Sequence, residues 1–253
     1  MRISLDEIGV FAECPLMYKF IFQDKLPRRP NRDQEFSQKI HVLATWFFNN
    51  IQDGRIPGHR ETRQKWGSLW FAGKTKYDIA LDSSYKYEQR RNLRGLTMVD
   101  KFYEVFSADP GFVIANDFDF DVPIGNDHVL TGTFDLIREV DYQGNKLIQV
   151  IDWRTDPYIP RDLVRKRDIQ LVTFDYAFRL MFQTKPDQLV YYSFKSGELY
   201  PVEPRPPREI QRLISSVNNI CSIIENNLYY PRQDWQHNIC RWCNYRTPCA
   251  HWR

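Results

Sequence analysis

The chain lacks any run of about 18 apolar residues, the length a helix needs to cross a bilayer core, so no membrane span is expected. Its opening residues, Met1-Arg2-Ile3-Ser4-Leu5-Asp6-Glu7, lack the apolar core of a secretory signal, and a cytoplasmic location is the resulting expectation. Excess charge of one sign is also nearly missing: 35 Lys and Arg face 32 Asp and Glu, a net charge of +3. That excludes a histone-like whole-molecule field, so any nucleic-acid binding has to rest on local clusters. There is no internal repeat and no low-complexity stretch. Cysteine is scarce, five in 253 residues, and in a reducing compartment those five are metal ligands or free thiols rather than disulfides. The length suffices for one large domain or two small ones. Aromatic residues are plentiful at 15% and serve either core packing or base stacking.

Two short runs organise the rest: Val129-Leu130-Thr131-Gly132-Thr133-Phe134-Asp135 and Leu147-Ile148-Gln149-Val150-Ile151-Asp152-Trp153-Arg154-Thr155. β-Branched and aromatic residues dominate both, so each reads as a strand. The turn-type cluster Tyr142-Gln143-Gly144-Asn145 between them makes an antiparallel hairpin with an acid at or near the end of each strand. A buried carboxylate is costly unless paired, and two on adjacent strands raise each other's pKa. A hard divalent cation answers both problems. The alternative is that Asp152 caps a turn and Asp135 pairs with an arginine.

Elsewhere, Ser4-Leu5-Asp6-Glu7 has the form of a capping box, placing a helix start at Ser4, and Pro15 can open a second helix. Cys14, between them, is either an accessible thiol at a helix break or a small buried hydrophobe. Lys25 to Arg32 is a basic, proline-broken linker that contacts phosphate or is simply solvated. A helix from Gln34 to Ile51 carries the apolar stripe Ile40, Leu43, Ala44, Phe47 and Phe48, with His41 at its edge. Residues 59–80 and 92–108 read as further helices with Trp66, Leu69, Trp70, Phe71, Leu96, Met98, Phe102, Tyr103 and Phe106 as core candidates. Lys86 to Arg94, with Tyr85 and Tyr87, is the densest basic stretch and fits either a single-strand path or an exposed helix face. Phe112 to Ile124 reads as a strand whose Asp117, Asp119 and Asp121 face solvent opposite Phe118, Phe120 and Val122. A helix opened by Pro160 spans Arg161 to Phe182, a hairpin turns about Lys195-Ser196-Gly197, and an amphipathic helix runs from Arg208 to Asn227 with Cys221 as an inert core thiol.

The tail Cys240-Arg241-Trp242-Cys243-Asn244-Tyr245-Arg246-Thr247-Pro248-Cys249 has the spacing of thiolate coordination. It provides three ligands. Cys14 is one candidate for a fourth, His251 the competing one, which would favour zinc, and a redox disulfide is a third option.

Gly132-Thr133-Phe134-Asp135 and Asp152-Trp153-Arg154-Thr155 resemble the G-x-x-D and acid-x-Lys-Thr motifs of the PD-(D/E)XK nuclease superfamily, with Arg154 where lysine is expected. His41 matches, in order, the helical histidine of the RecB-like branch, and Gln170 opens its Q-x-x-x-Y helix, with Phe174 in the tyrosine position and Tyr176 two residues later. The cysteine set resembles the iron–sulfur branch represented by AddB and the CRISPR-associated RecB-like exonucleases. The resemblance implies an α/β, restriction-endonuclease-like fold: a mixed central sheet flanked by helices, with the N- and C-terminal segments joined by a cysteine-ligated cluster. It implies an N-terminal segment 1–33, a nuclease-like core 34–206 with a helical insertion about 59–108, and a C-terminal segment 207–253 with a helix and the cysteines.

The implied activity is a metal-dependent DNA exonuclease acting on single strands or duplex ends. Mg²⁺ or Mn²⁺ would be held by His41, Asp135, Asp152 and the Trp153 carbonyl, and a 4Fe-4S cluster by Cys14, Cys240, Cys243 and Cys249. DNA is the implied partner, with a helicase or a CRISPR-adaptation protein as possible company. Arg154 is always cationic and cannot accept a proton. Lys146 lies six residues of strand from Asp152, roughly 20 Å. Lys166 is one helical turn from Gln170 and is the candidate for a migrated lysine. The competing readings are a nuclease-derived DNA-binding or scaffold subunit weakened by Arg154, and a zinc-stapled protein that is no nuclease.

Overall fold

The computed structural model describes residues 1–27, 32–72, 82–155, 168–232, 240 and 243–249. The chain divides into two compact units, one of residues 32–118 and 133–205, the other of residues 1–31, 119–132 and 206–253. The terminal segments 1–33 and 207–253 expected from the sequence therefore fall almost wholly in one unit, together with a stretch taken from the middle of the chain.

In the first unit three helices build the apolar core. Helix α3 (Arg32–Gln52) presents the expected stripe: Ile40, Leu43, Ala44, Phe47 and Phe48 have no exposed surface. Helix α4 (His59–Phe71) opens at Gly58, whose amide is capped by Glu61, and stacks Trp66 on Trp70 at 5.5 Å. Phe71 is exposed, against expectation, because it lies one residue past the stripe set by Trp66 and Trp70. Helix α5 (Asp82–Ala108) buries Met98, Phe102 and Phe106. It begins ten residues ahead of the expected start. Its charged first turns carry no apolar stripe, but Lys, Glu, Gln and Arg are intrinsically good helix formers.

These helices cover one face of a mixed sheet. Strand β3 (His128–Tyr142) and strand β4 (Asn145–Arg154) pair antiparallel from Tyr142↔Asn145 to Leu136↔Ile151. Gln143 and Gly144 both have positive φ, the backbone of a two-residue hairpin turn that matches the strand twist. Strand β5 (Gln188–Ser193) runs parallel to β4, and β6 (Glu198–Val202) returns antiparallel to it. Ile151, Trp153, Val190, Tyr192 and Phe194 join the helical core. Phe102 touches Phe47, Trp153, Tyr192 and Phe194, and truncating so embedded a ring costs about 3–5 kcal/mol. Helix α6 (Ile169–Phe182) stands between β4 and β5 in the chain and packs Phe174 on Phe134 at 5.3 Å.

Strand β2 (Phe112–Gly125) departs from expectation at Phe118, which is exposed beside Asp117 and Asp119. Asp117 adopts φ of 50°, which interrupts the two-residue alternation that resumes at Phe120.

In the second unit β1 (Arg2–Ser4) pairs parallel with the start of β3 through Ile3↔Leu130. Ser4 ends the strand and begins α1 (Leu5–Glu13) with the expected capping box. Its Oγ accepts from Glu7 N at 3.1 Å, and Glu7 Oε2 accepts from Ser4 N at 2.8 Å. Pro15 opens α2 (Pro15–Tyr18), which continues into a π-helical turn, Lys19–Gln23. Helix α7 (Pro207–Glu225) buries Leu213, Val217, Cys221 and Ile224 on one side. Gly132 is required by contact: a Cβ there would lie 2.5 Å from Cζ of the buried Phe120 ring. Among the described residues no helix is long and apolar enough to cross a membrane.

Candidate active site

The first unit gathers six of the sequence candidates: His41, Asp135, Asp152, Trp153, Arg154 and Gln170. Asp152 and Arg154 stand on β4 at alternate positions to Ile151 and Trp153, so they leave the aromatic core on the opposite face. Extending the β3–β4 register by one pair sets Asp135 across from Asp152. Asp135 is in the middle of β3, not near its end as the sequence suggested, because pairing with β4 carries the strand on to Tyr142. Helix α3 brings His41, whose Nδ1 is 3.4 Å from Asp135 Oδ1. The other Asp135 oxygen accepts from the Trp153 backbone N–H at 2.9 Å. One turn before His41, Ser37 Oγ meets Thr155 Oγ1 at 2.9 Å, tying α3 to the end of β4.

Asp152 is 1% exposed, and both of its oxygens are occupied. Oδ1 accepts from Gln170 Nε2 at 2.8 Å, and Oδ2 accepts from Arg154 Nε. Burial drives the Asp152 pKa up to about 7; the Arg154 charge opposes that rise, and the neighbouring Asp135 and Asp168 carboxylates add to it. For His41, burial alone would lower the pKa, but the Asp135 hydrogen bond and the Asp135 and Asp152 charges outweigh it and the imidazole shifts up. Arg154 is held still further into its charged form, Asp152 and Asp168 prevailing over its burial. Its guanidinium lies over the Tyr191 ring, 5.1 Å from the centroid, which sharpens its orientation.

Asp168 is the residue that sequence reasoning missed. It is the N-cap of α6, with Oδ1 accepting from Gln170 N at 2.8 Å and Leu171 N at 3.3 Å, while Oδ2 accepts from Arg154 Nη2 at 3.2 Å. The helix therefore starts at Ile169 and does not run through Asp168 as expected, since the capping carboxylate holds its own backbone extended. An Asp two residues ahead of Gln170 was a visible N-cap signal, masked by the proline that suggested an earlier start. Lys166 lies outside the described residues. Lys146 is engaged elsewhere, with Nζ 2.6 Å from Glu139 Oε1. Phe174 is fully buried against Phe134, a packing role with no polar atom.

Of the basic stretch on α5, Arg91 is turned inward, 9% exposed, with its guanidinium over the Phe36 and Tyr87 rings and on Asp33. Arg90 and Arg94 remain exposed, and Arg94 reaches the Thr155 carbonyl at 3.5 Å.

Among the described residues no three His, Cys, Asp or Glu side chains stand close enough together to hold an ion as arranged. The donor chemistry of His41, Asp135 and Asp152, one imidazole and two carboxylates, nevertheless suits Mg²⁺ or, with the nitrogen, Mn²⁺. The Arg154 guanidinium supplies the positive charge that Asp152 otherwise lacks.

In the second unit, Cys14, Cys240, Cys243 and Cys249 line one pocket with Leu16, Met17, Phe20, Pro231, Arg232 and Arg246. Burial pushes the Cys243 thiol up, and the other three cysteines push it the same way, the electrostatic mark of their proximity. The amides of Arg232 and Tyr245 donate to Cys14 and Cys243 sulfur, each at 3.4 Å. Protein contacts bring these ends together as well: Leu16 N donates to Tyr230 O at 3.1 Å, and Tyr245 Oη to Pro27 O at 3.2 Å. Cys221 is apart from this group, buried in α7, its thiol pushed up to about 11 by burial. His251 lies outside the described residues, as do residues 28–31 of the basic linker.

No curated protein is similar in sequence. Among solved structures, the one described as the crystal structure of SSO0001 shares 15% identity, covering 87% of this chain and 96% of that one, with a TM-score of 0.37, too slight a likeness to carry an argument. The family comparison is of another order: the profile of the PD-(D/E)XK nuclease superfamily matches residues 2–250, which takes in the G-x-x-D strand, the Asp152 strand and the tail cysteines alike. The chain belongs to the PD-(D/E)XK nuclease superfamily.

Proposed function

We propose that this nuclease is a metal-dependent deoxyribonuclease that digests single-stranded DNA or duplex ends. The observation that carries the reading is the convergence of His41 from α3, Asp135 from β3, Asp152 and Arg154 from β4, and Gln170 from α6 within one unit. His41, Asp135, Asp152 and the Trp153 carbonyl would hold Mg²⁺ or Mn²⁺. Such an ion, when bound, lowers the pKa of water and polarises the scissile phosphate.

The protein's own groups do the rest. Gln170 fixes the Asp152 carboxylate through Oδ1. The Trp153 amide fixes Asp135. Arg154 offers hydrogen bonds to a phosphate oxygen and offsets charge developing there, but takes no proton. A migrated Lys166 is the alternative source of that cation. A Mn²⁺-dependent cleavage assay on end-labelled single-stranded and duplex DNA tests the reading, with Asp152→Ala as the control. Activity lost in Arg154→Ala and kept in Lys166→Ala assigns the electrostatic role to Arg154; the reverse assigns it to Lys166.

A second reading has a specific observation behind it. The Arg154–Asp152 contact neutralises the acid that an ion needs, which suits a nuclease-derived DNA-binding or scaffold subunit. Failure to cleave any DNA form in Mg²⁺ or Mn²⁺, with DNA binding retained, selects it.

We further propose that the four pocket cysteines hold a 4Fe-4S cluster. Four cysteines lining one pocket, with amide donors to two of the sulfurs, support ligation by thiolates there. A brown, visible-absorbing anaerobic preparation with iron and sulfide in equal amounts is expected; colourless protein carrying stoichiometric zinc overturns the assignment. A helicase or a CRISPR-adaptation protein as partner, and a cytoplasmic site of action, remain part of this proposal and await co-purification from the source cell.

A further inference from the structure

The acid site contains an ion pair that the superfamily motifs do not describe. Arg154 is shared between two carboxylates: Nε donates to Asp152 and Nη2 to Asp168 Oδ2 at 3.2 Å. We propose that Asp168 is a positioning residue for Arg154, the acceptor to which the guanidinium is handed when a divalent cation takes Asp152. The inference rests on the metal reading above and adds to it the fate of the competing arginine.

Three observations support it. First, a cation cannot share Asp152 with Arg154 at no cost, since two positive charges on one buried carboxylate repel strongly where solvent is excluded. With Oδ1 held by Gln170, the Arg154 contact at Oδ2 is the one that has to give. Second, Asp168 is built as a fixed receiver. Its Oδ1 is locked by the Gln170 and Leu171 amides at the start of α6, which leaves Oδ2 facing Arg154. Third, the Tyr191 ring under the guanidinium gives it a surface along which to shift from one acid to the other without losing its stacking. The Tyr191 hydroxyl has no hydrogen-bond partner among the described residues, so no hydrogen bond fixes the ring against that shift.

The test is Mn²⁺ affinity, read by calorimetry on the full chain without DNA. Asp168→Asn keeps the N-cap, because Asn caps as well as Asp, and removes the charge. Asp168→Ser, a second neutral cap, guards against an effect peculiar to the amide. Both are expected to melt within a few degrees of the wild type and to bind Mn²⁺ about tenfold more weakly, because Arg154 then has Asp152 alone. In an Arg154→Ala background the same substitutions are expected to change affinity no more than about twofold. Equal weakening in both backgrounds means that Asp168 acts only as a nearby charge and overturns the proposal, as does unchanged affinity in the wild-type background. Absence of Mn²⁺ binding to the wild type, with Asp152→Ala indistinguishable from it, overturns the metal reading itself and this inference with it.

Discussion

The acid site and the thiol pocket satisfy their polar atoms in different ways. Around Asp152, side chains do so: Gln170 on one oxygen, Arg154 on the other, with Asp168 taking part of the same guanidinium. Around Cys14 and Cys243, backbone amides of Arg232 and Tyr245 donate to sulfur, a weaker and fixed contribution. A centre that carries its own cation can be assembled before any ion arrives, and the ion must then displace something. A centre built of thiols has no cation to displace, only protons, and a cluster held there as proposed would add to folding stability.

Substitutions at each centre should therefore fail differently. The largest expected effect is Asp152→Ala, which should lower the proposed DNA cleavage by at least about 100-fold, several kcal/mol of transition-state stabilisation, while leaving the colour of the proposed cluster untouched. Loss of colour in that variant would break the separation between the centres. Next is Cys14→Ser: if the proposed cluster is present, its colour should be lost and the melting temperature should fall by about 5–10 °C, the scale of losing a structural metal site in a chain of this length. Cys221→Ala should keep the colour. In the folded protein, thiol labelling should spare Cys221 while reaching the pocket cysteines of the apo form, as burial and a thiol raised to about 11 dictate.

Gly132→Ala should destabilise by about 1–3 kcal/mol, since the added methyl meets the Phe120 ring. Chemical denaturation measures it, and an unchanged midpoint would mean that the ring moves aside freely. Smallest is Lys146→Ala. Its ammonium sits in an exposed pair with Glu139, so neither cleavage nor melting temperature should change measurably.

Much of this was legible in the residues themselves. The stripe on α3, the capping box at Ser4 and the hairpin at Gln143-Gly144 are local patterns, and local patterns report local structure. The proximity of Asp135, Asp152 and Gln170 was foreshadowed by short motifs, and that of His41 only by its order in the chain. Asp168 was not, because its meaning lies in a partner fourteen residues away on β4 and in a helix start that proline obscured. Phe118 was misplaced because one residue with positive φ breaks an alternation that no composition reveals. The inward turn of Arg91 was hidden for the same kind of reason: a basic side chain in a charged run looks solvated until Phe36 and Tyr87 are placed around it.

Trp153 separates Asp152 from Arg154 in the chain and points the other way, stacked on Phe48 at 5.8 Å and edged by Phe106 and Tyr192. Its indole is thus wired by a single backbone step to whatever the two polar neighbours do, while remaining shielded from solvent quenchers. If a divalent ion binds at Asp152 as proposed, a change in near-ultraviolet dichroism that Trp153→Phe removes should follow its occupancy without any added label.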